Sequence, residues 1–296
     1  MASRPSSAVL TLSALVWCAA TVAARQPVAV PDLAEVLQRV GERVEQYFAR
    51  AQSIVCVEIV GLMPVDTGGF VRGRTVESEL RLSWEPTDQN PVPIEARTLR
   101  QVTKVNGHAP RKDDHDNCTS PEQNSSEVQP LSLLLPQQRH EYSFKLAGAA
   151  RVDNRAAILV DYRMVDKPSV KSTLVNDNED CVSFALDGGM RGRVWIDAET
   201  FDVLRMDQRL IGLIDIPLPR KTANRSRWGS WTMERWDTSI RFKPVTFQDP
   251  PETLVLPASS TSFRITRGAG HPRLRTSTQY SSYRRFITAG RIVTPQ

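Results

Sequence analysis

Apolar residues recur at three- and four-residue steps most clearly near the start of the chain. Leu33, Val36, Leu37, Val40, Val44, Tyr47, Phe48 and Ala51 draw one stripe and predict a helix from about Pro31 to Ala51. Asp32 is placed to cap it, with Glu35 three residues on as the reciprocal partner. Glu42 and Gln46 keep the far face polar. A stripe of this kind is not stable alone in water and needs a partner surface, for which a sheet face is the obvious candidate.

Nearly everything later alternates with a period of two. Strands are predicted at the run around Cys56, at Thr75–Trp84, at Arg97–Val105 before an Asn106-Gly107 turn, at Glu141–Leu146 and at Ala157–Val165. Arg193–Asp197 and Phe201–Met206 flank Ala-Glu-Thr as a strand–turn–strand unit, and Ser239–Lys243, Thr253–Leu256 and Thr278–Ile287 complete the set. Short connections favour antiparallel pairing, because a parallel crossover needs a dozen or more residues. The fold class is therefore mainly β with an N-terminal helix (α+β). Two polar stretches, 107–130 and 166–180, read as loops, and Leu131-Ser-Leu-Leu-Leu135 between them reads as a helical turn that plugs the sheet.

With 40% hydrophobic and 24% charged residues, the 296-residue chain is globular in composition. After the first two dozen residues no apolar run approaches the ~20 needed to span a bilayer, which excludes a multi-span membrane protein. Residues 1–24 read as a secretory signal: Arg4 supplies the charge, Ala8–Ala20 the apolar segment, and Val22-Ala23-Ala24 the small-residue cleavage pattern. An uncleaved anchor is the alternative. Lipidation at Cys18 is disfavoured by Trp17, where lipoprotein signals have a small residue. The expected mature chain, residues 25–296, is a single exported β-rich domain, periplasmic or extracellular, with a basic C-terminal portion. It keeps Cys56, Cys118 and Cys181. Cys56 sits in an apolar strand-like run and Cys118 and Cys181 in polar, turn-like settings, so the favoured disulfide joins Cys118 to Cys181, worth roughly 4 kcal/mol for a loop of that length, with two unpaired surface thiols as the alternative.

The formal charge of +5 conceals an imbalance. Residues 220–296 hold 14 Lys and Arg against 4 Asp and Glu, and from Pro257 onward there is no acidic residue. Arg273, Arg275, Arg284 and Arg285 belong to this stretch. Two readings stand: Arg-rich outward faces on antiparallel strands, or a surface for anionic lipid headgroups, another polyanion or an envelope protein. Nucleic acid does not suit an exported chain.

Chemistry-bearing motifs are sparse. His108, Asp113, Asp114, His115, Asp116 and Cys118 have zinc-type ligand chemistry, but their spacing matches no closed tetrahedral site. No nucleophile elbow, zinc-helix, phosphate-loop or dinucleotide-binding signature occurs, so no catalytic residue, cofactor or metal is assigned. Asp161 and Glu58 fall in strand-like runs, where the outward face is expected for both. Trp228, Trp231 and Trp236 with Arg225, Arg227 and Arg235 read either as an amphipathic lip or as strand packing with Arg stems covering the rings.

Gly192-Arg-Val-Trp-Ile-Asp-Ala-Glu-Thr-Phe-Asp-Val-Leu-Arg-Met-Asp207 resembles a hairpin of the periplasmic lipoprotein-carrier family, which sorts outer-membrane lipoproteins, and of related sigma-factor-regulator domains. The order of signal, amphipathic helix and consecutive antiparallel strands is also similar. The resemblance implies a single strongly curved antiparallel sheet, an open half-barrel covered by helix, and a non-enzymatic binding role. The ligand it implies is apolar, a lipid or lipoprotein acyl chain held between the helix face (Leu33, Val36, Leu37, Val40, Val44, Tyr47, Phe48) and the sheet. The alternative is an envelope protein-interaction or stress-sensor domain using its basic C-terminal surface. Peripheral membrane contact fits either. The chain departs from the family in its greater length and in the 107–130 insertion, and no cargo-binding residue of the family has a matching position here.

Overall fold

A computed structural model describes residues 32–50, 54–65, 73–83, 97–111, 114, 130–175, 178–226, 228–248, 251–269 and 273–285. The expected signal segment lies outside them. The helix α1 spans Leu33–Arg50 and buries Val36, Val40, Val44, Tyr47 and Phe48, the stripe seen in the sequence. Ten strands then follow in chain order: β1 (Ile54–Pro64), β2 (Arg74–Ser83), β3 (Arg97–Val105), β4 (Tyr142–Val152), β5 (Arg155–Met164), β6 (Ser169–Val175), β7 (Asn178–Asp187), β8 (Met190–Asp197), β9 (Val203–Leu210) and β10 (Ile214–Pro217). A short helix, α2 (Arg220–Ser226), precedes β11 (Ser230–Gln248), β12 (Pro251–Arg267) and β13 (Arg273–Arg285).

Eleven strands form one antiparallel sheet in the order β3-β2-β1-β13-β12-β11-β9-β8-β5-β4, with β10 paired to β11 off this path. β3 and β4 are its two edges and do not pair, so the sheet is not closed. The chain between them therefore travels from one edge to the other. It carries a 3-10 turn at Pro130–Leu134, and Leu131, Leu133, Leu134 and Leu135 are all buried in the same core as α1. That core takes alternate residues of most strands, among them Ile54 and Cys56 of β1, Ile158 and Val160 of β5, Val194 and Ile196 of β8, and Leu254 and Leu256 of β12. A second cluster, Met190, Leu210, Ile214, Ile216 and Met233, lies under β6 and β7, which contribute Val170, Phe184 and Leu186.

Turn chemistry follows the sequence where the backbone demands it. Asn106 and Gly107 adopt φ of 47° and 84°, closing a two-residue turn between Val105 and His108. Asp153 and Asn154, at 47° and 67°, make the same kind of turn between β4 and β5.

Three readings are corrected. Residues 166–180 are not a loop, since Ser169–Val175 and the start of β7 form a two-stranded antiparallel sheet of their own. Their alternation is diluted by Lys, Ser and Thr on the outward side. The runs at Ser239–Lys243 and Thr253–Leu256 are parts of strands of 19 and 17 residues. Pro257, which reads as a strand breaker, sits at a bulge between Arg241 and Phe242 of the partner strand, where the regular ladder is already interrupted. Finally, Glu58 does not face outward. It is 2% exposed on the core face and accepts hydrogen bonds from Arg100 Nε (2.7 Å) and Nη2 (3.1 Å). Arg100 reaches it from β3 across β2, where Ser78, opposite Glu58, is small. Asp161, by contrast, does face outward, beside Arg193.

This buried pair yields a directional prediction. Arg100→Met strips a desolvated carboxylate of its two guanidinium bonds and is expected to cost about 3–5 kcal/mol. Glu58→Leu with Arg100→Met together is expected to be neutral or stabilising, by up to about 4 kcal/mol. Urea denaturation of the two variants measures the asymmetry, and a silent Arg100→Met would show that the pair is not desolvated.

Cys56, next to Glu58 on the same face, is a buried free thiol. Burial, and secondarily the Glu58 carboxylate, pushes it up to about 12. Its folded value lies above its unfolded one, so the stability it lends is complete below about pH 8.5 and is lost as pH climbs toward 12. Unfolding free energy is expected to fall above pH 8.5 with a slope that Cys56→Val reduces. Maleimide at neutral pH is expected to label Cys56 only in denaturant, and prompt native labelling would contradict its burial.

Candidate functional site

The hairpin that carries the family resemblance meets α1 through its tip. Asp197, at the end of β8, is 3% exposed and organises the turn. Its Oδ1 accepts bonds from the amides of Glu199 (3.0 Å) and Thr200 (2.8 Å), and Arg155 Nε lies 2.8 Å from Oδ2. Phe201 then takes φ of 60°, a left-handed conformation that a bulky residue adopts only when its surroundings fix it. Here the Phe201 amide donates to Asp197 O (3.1 Å) and the ring is buried in the core under Arg39, whose guanidinium lies 4.9 Å from its centroid. The next residue, Asp202, accepts two bonds from Arg43 of α1, at 3.1 Å and 2.9 Å. One turn of helix therefore places Arg39 and Arg43 on two consecutive residues of the hairpin tip.

Beside this latch a void of about 40 Å³ opens between α1 and the sheet. Val44, Tyr47, Leu131, Phe201, Val203, Phe242, Leu254 and Val255 line it, with Arg43, Arg50 and Asp202 at the rim. It has room for water, not for an acyl chain. The far end of α1 is tied in as well. Arg285 donates to Arg50 O (3.0 Å) and to Glu252, and stacks 5.1 Å above the Phe247 ring. The plug is anchored by Arg139, which donates to Leu134 O (3.0 Å) and to Leu37 O on α1. The arrangement is an apolar interior gripped at its edges by ion pairs and by arginine-to-carbonyl bonds.

The sequence candidates fall as follows. Val36, Val40, Val44, Tyr47 and Phe48 are buried in the main core, and Leu33 and Leu37 pack against it half-buried. Cys118 and the Cys181 side chain lie outside the described residues, and so does the expected disulfide, although the backbone places Cys181 in β7. Of the metal-like cluster, His108 and Asp114 are described, with His108 Nδ1 3.7 Å from Asp114 Oδ2. No group of three or more His, Cys, Asp or Glu gathers among the described residues, and none of their helices is long and apolar enough to cross a membrane.

The C-terminal arginines differ in their surroundings. Arg284 pairs with Glu79 at 3.0 Å, Arg285 is held as above, and Arg273 and Arg275 are exposed on the first half of β13. The tryptophans separate too: Trp231 and Trp236 pack on the second cluster, Phe184 edges Trp236 at 6.3 Å, and Trp228 is exposed. What sequence reading misses is the latch: Arg39 and Arg43, four apart on one flank of the helical stripe, are the only local signal of it, and Asp202 gives none.

No family model matches the chain, and no curated protein does. Among solved structures it is similar to an outer membrane lipoprotein-sorting protein domain from Vibrio parahaemolyticus, at 12% identity over 87% of this chain and 94% of that one, with a TM-score of 0.39. It is similar to a LolA superfamily protein from Nitrosomonas europaea, at 8% identity over 88% and 97% of the two chains, with a TM-score of 0.37. A DUF1329 family protein from Desulfovibrio piger matches at 10% identity over 87% and 95%, with a TM-score of 0.42.

Proposed function

We propose that the chain is an exported, non-enzymatic binding domain, whose sheet curves into a half-barrel roofed by α1 and whose ligand is apolar, a lipid or lipoprotein acyl chain. Export, a single domain over residues 25–296 and the Cys118–Cys181 bridge belong to the same reading. The observation that carries it is the way one sheet face is filled. The face is apolar across most of its strands, and much of what fills it comes from two separate pieces, α1 and the Leu131–Leu135 plug. The tip of the 192–207 hairpin holds the first by Arg43–Asp202, which is partly exposed to water and so a weak latch.

In the conformation seen here the space under α1 is occupied by the protein's own side chains. A ligand takes their place by displacing the plug or lifting the helix, and the small void beside Val44 is where that separation starts. Dispersion and apolar burial are then exchanged one for one, so release costs less than it would from a pocket left empty.

Lipid extraction of purified protein followed by mass spectrometry, and titration with a fluorescent acyl probe, test this directly. Saturable probe binding is expected, and Asp202→Ala, which opens the latch, is expected to speed probe association several-fold while leaving the fold intact. If no lipid co-purifies and neither the wild type nor Asp202→Ala binds the probe saturably, the proposal fails.

A further inference from the structure

The face of the sheet turned away from α1 holds a groove of about 1360 Å³ that crosses β4, β5, β8, β9, β11, β12 and β13. It mixes charged and polar groups with aromatic rings such as Trp195 and Phe263, because alternate residues of the same strands point into it. Val160 is buried in the core, whereas Asp161 and Arg163 line the groove.

The groove's three carboxylates are already satisfied. Asp161 accepts from Arg193 at 2.5 Å and 3.0 Å, which holds its carboxyl below the ordinary range. Asp207 accepts from Arg205 at 2.8 Å and 2.7 Å and from Ser239 Oγ at 2.7 Å. Asp237 accepts from Arg235 at 2.5 Å. All three of these arginines also lie over aromatic rings, Arg193 at 6.0 Å and Arg205 at 4.6 Å from the Trp195 centroid and Arg235 at 5.1 Å from that of Phe263, so each guanidinium is held to its partner.

What remains is a row of cations. In the register of the sheet Arg163 stands opposite Arg191, and Arg191 opposite Arg209, on three adjacent strands. None of the three has a carboxylate within ion-pair distance among the described residues, although Arg209, with Lys145, is near enough to Asp161 to help Arg193 lower its carboxyl. The residue beyond Arg209 in the row is Asp237, and Arg235 has taken it. Like charges directly opposite one another across strands destabilise a sheet. Here that cost is incurred twice in succession, in a recess where an anion would remove it.

We propose that Arg163, Arg191 and Arg209 form a binding site for a phosphate group. Neighbouring strands lie about 4.8 Å apart, so the backbone positions of the three arginines span roughly 10 Å, and their exposed side chains start from one row on one face. A phosphate, with oxygens directed several ways, bridges adjacent guanidiniums at that spacing. A carboxylate directs its two oxygens within one plane and so bridges a row of guanidiniums less completely than a phosphate does. Same-side carboxylates of an extended acidic peptide recur about every 6.8 Å, out of step with the row. The groove is larger than phosphate alone, so the ligand is a phosphate-bearing small molecule or a single lipid headgroup.

Calorimetric titration with pyrophosphate in a phosphate-free buffer tests the site on the full chain. Wild-type protein is expected to bind, Arg191→Gln to weaken binding at least about tenfold, and Lys171→Gln on the separate β6–β7 sheet to change nothing. Because Arg191→Gln also relieves the repulsion, it is expected to raise the melting temperature of the unliganded protein, which a merely structural arginine would not do. Co-sedimentation with phosphatidate vesicles that is lost in Arg191→Gln places the phosphate on a lipid. Pyrophosphate binding without co-sedimentation places it on a soluble molecule. Pyrophosphate binding unaffected by Arg191→Gln, a lower melting temperature in that variant, absence of both pyrophosphate and vesicle binding, or tighter binding of hexaglutamate than of pyrophosphate overturns the proposal.

Discussion

An open sheet with one apolar face cannot keep that face dry by itself. A closed barrel fills its interior with its own strands, and a sandwich covers one sheet with another, but here β3 and β4 stay apart. The chain meets this requirement with its own connection. To pass from β3 at one edge to β4 at the other it crosses the sheet, and the crossing brings Leu131, Leu133, Leu134 and Leu135 into the core beside α1. Each buried leucine contributes about 2 kcal/mol by area removed from water, so the crossing is as much a part of the core as any strand. The polar anchors then have a common purpose. Arg139 joins the plug to α1, Arg43 joins α1 to the hairpin tip, and Arg285 joins the end of α1 to β12 through Glu252.

The same alternation that makes one face apolar delivers the charged face. Because β5, β8 and β9 are paired residue for residue, every core row such as Val160–Val194–Met206 has a neighbouring row that points the other way, and the arginine row is one of these. Gly192 is where the two faces press hardest on each other. A Cβ there would lie 2.0 Å from Asp207 O and 2.5 Å from the Tyr162 hydroxyl, so only glycine lets the Tyr162 ring lie across β8. Tyr162 in turn donates to Asp207 O (3.4 Å), and the Asp207 side chain is bound on the far face by Arg205 and Ser239. The residue that opens the recognisable hairpin segment is thus a packing requirement.

How much of this could be read from sequence depends on whether the signal is local. α1 is local: its stripe, cap and end are all written within 20 residues, and the helix forms nearly where they indicate. Asn106-Gly107 and the β8–β9 hairpin are local as well. β6 and β7 were missed because their apolar residues are few and serve the small second cluster, in which Phe184 and Leu186 meet Trp231 and Trp236 from 45 residues away. The length of β12 is not legible because Pro257 imitates a boundary, and only the pairing with β11 shows that it lies beside a bulge, opposite Phe242.

Glu58 and the arginine row share one cause of illegibility and lead to opposite conclusions. A carboxylate in an apolar run and three arginines scattered over 47 residues each look like outward charges, and only cross-strand register shows what stands beside each. For Glu58, register supplies a partner: Arg100 comes over Ser78, the charge is neutralised, and what results is a structural pair that needs nothing further. For Arg163, Arg191 and Arg209, register supplies more of the same charge, and the nearby carboxylates are already committed. A fold that finds a partner for a carboxylate two strands away, yet leaves three guanidiniums abreast in a recess, treats the two charges differently. The difference is solvent: a buried charge must be paired within the protein, whereas a charge at a groove wall can wait for an ion from outside.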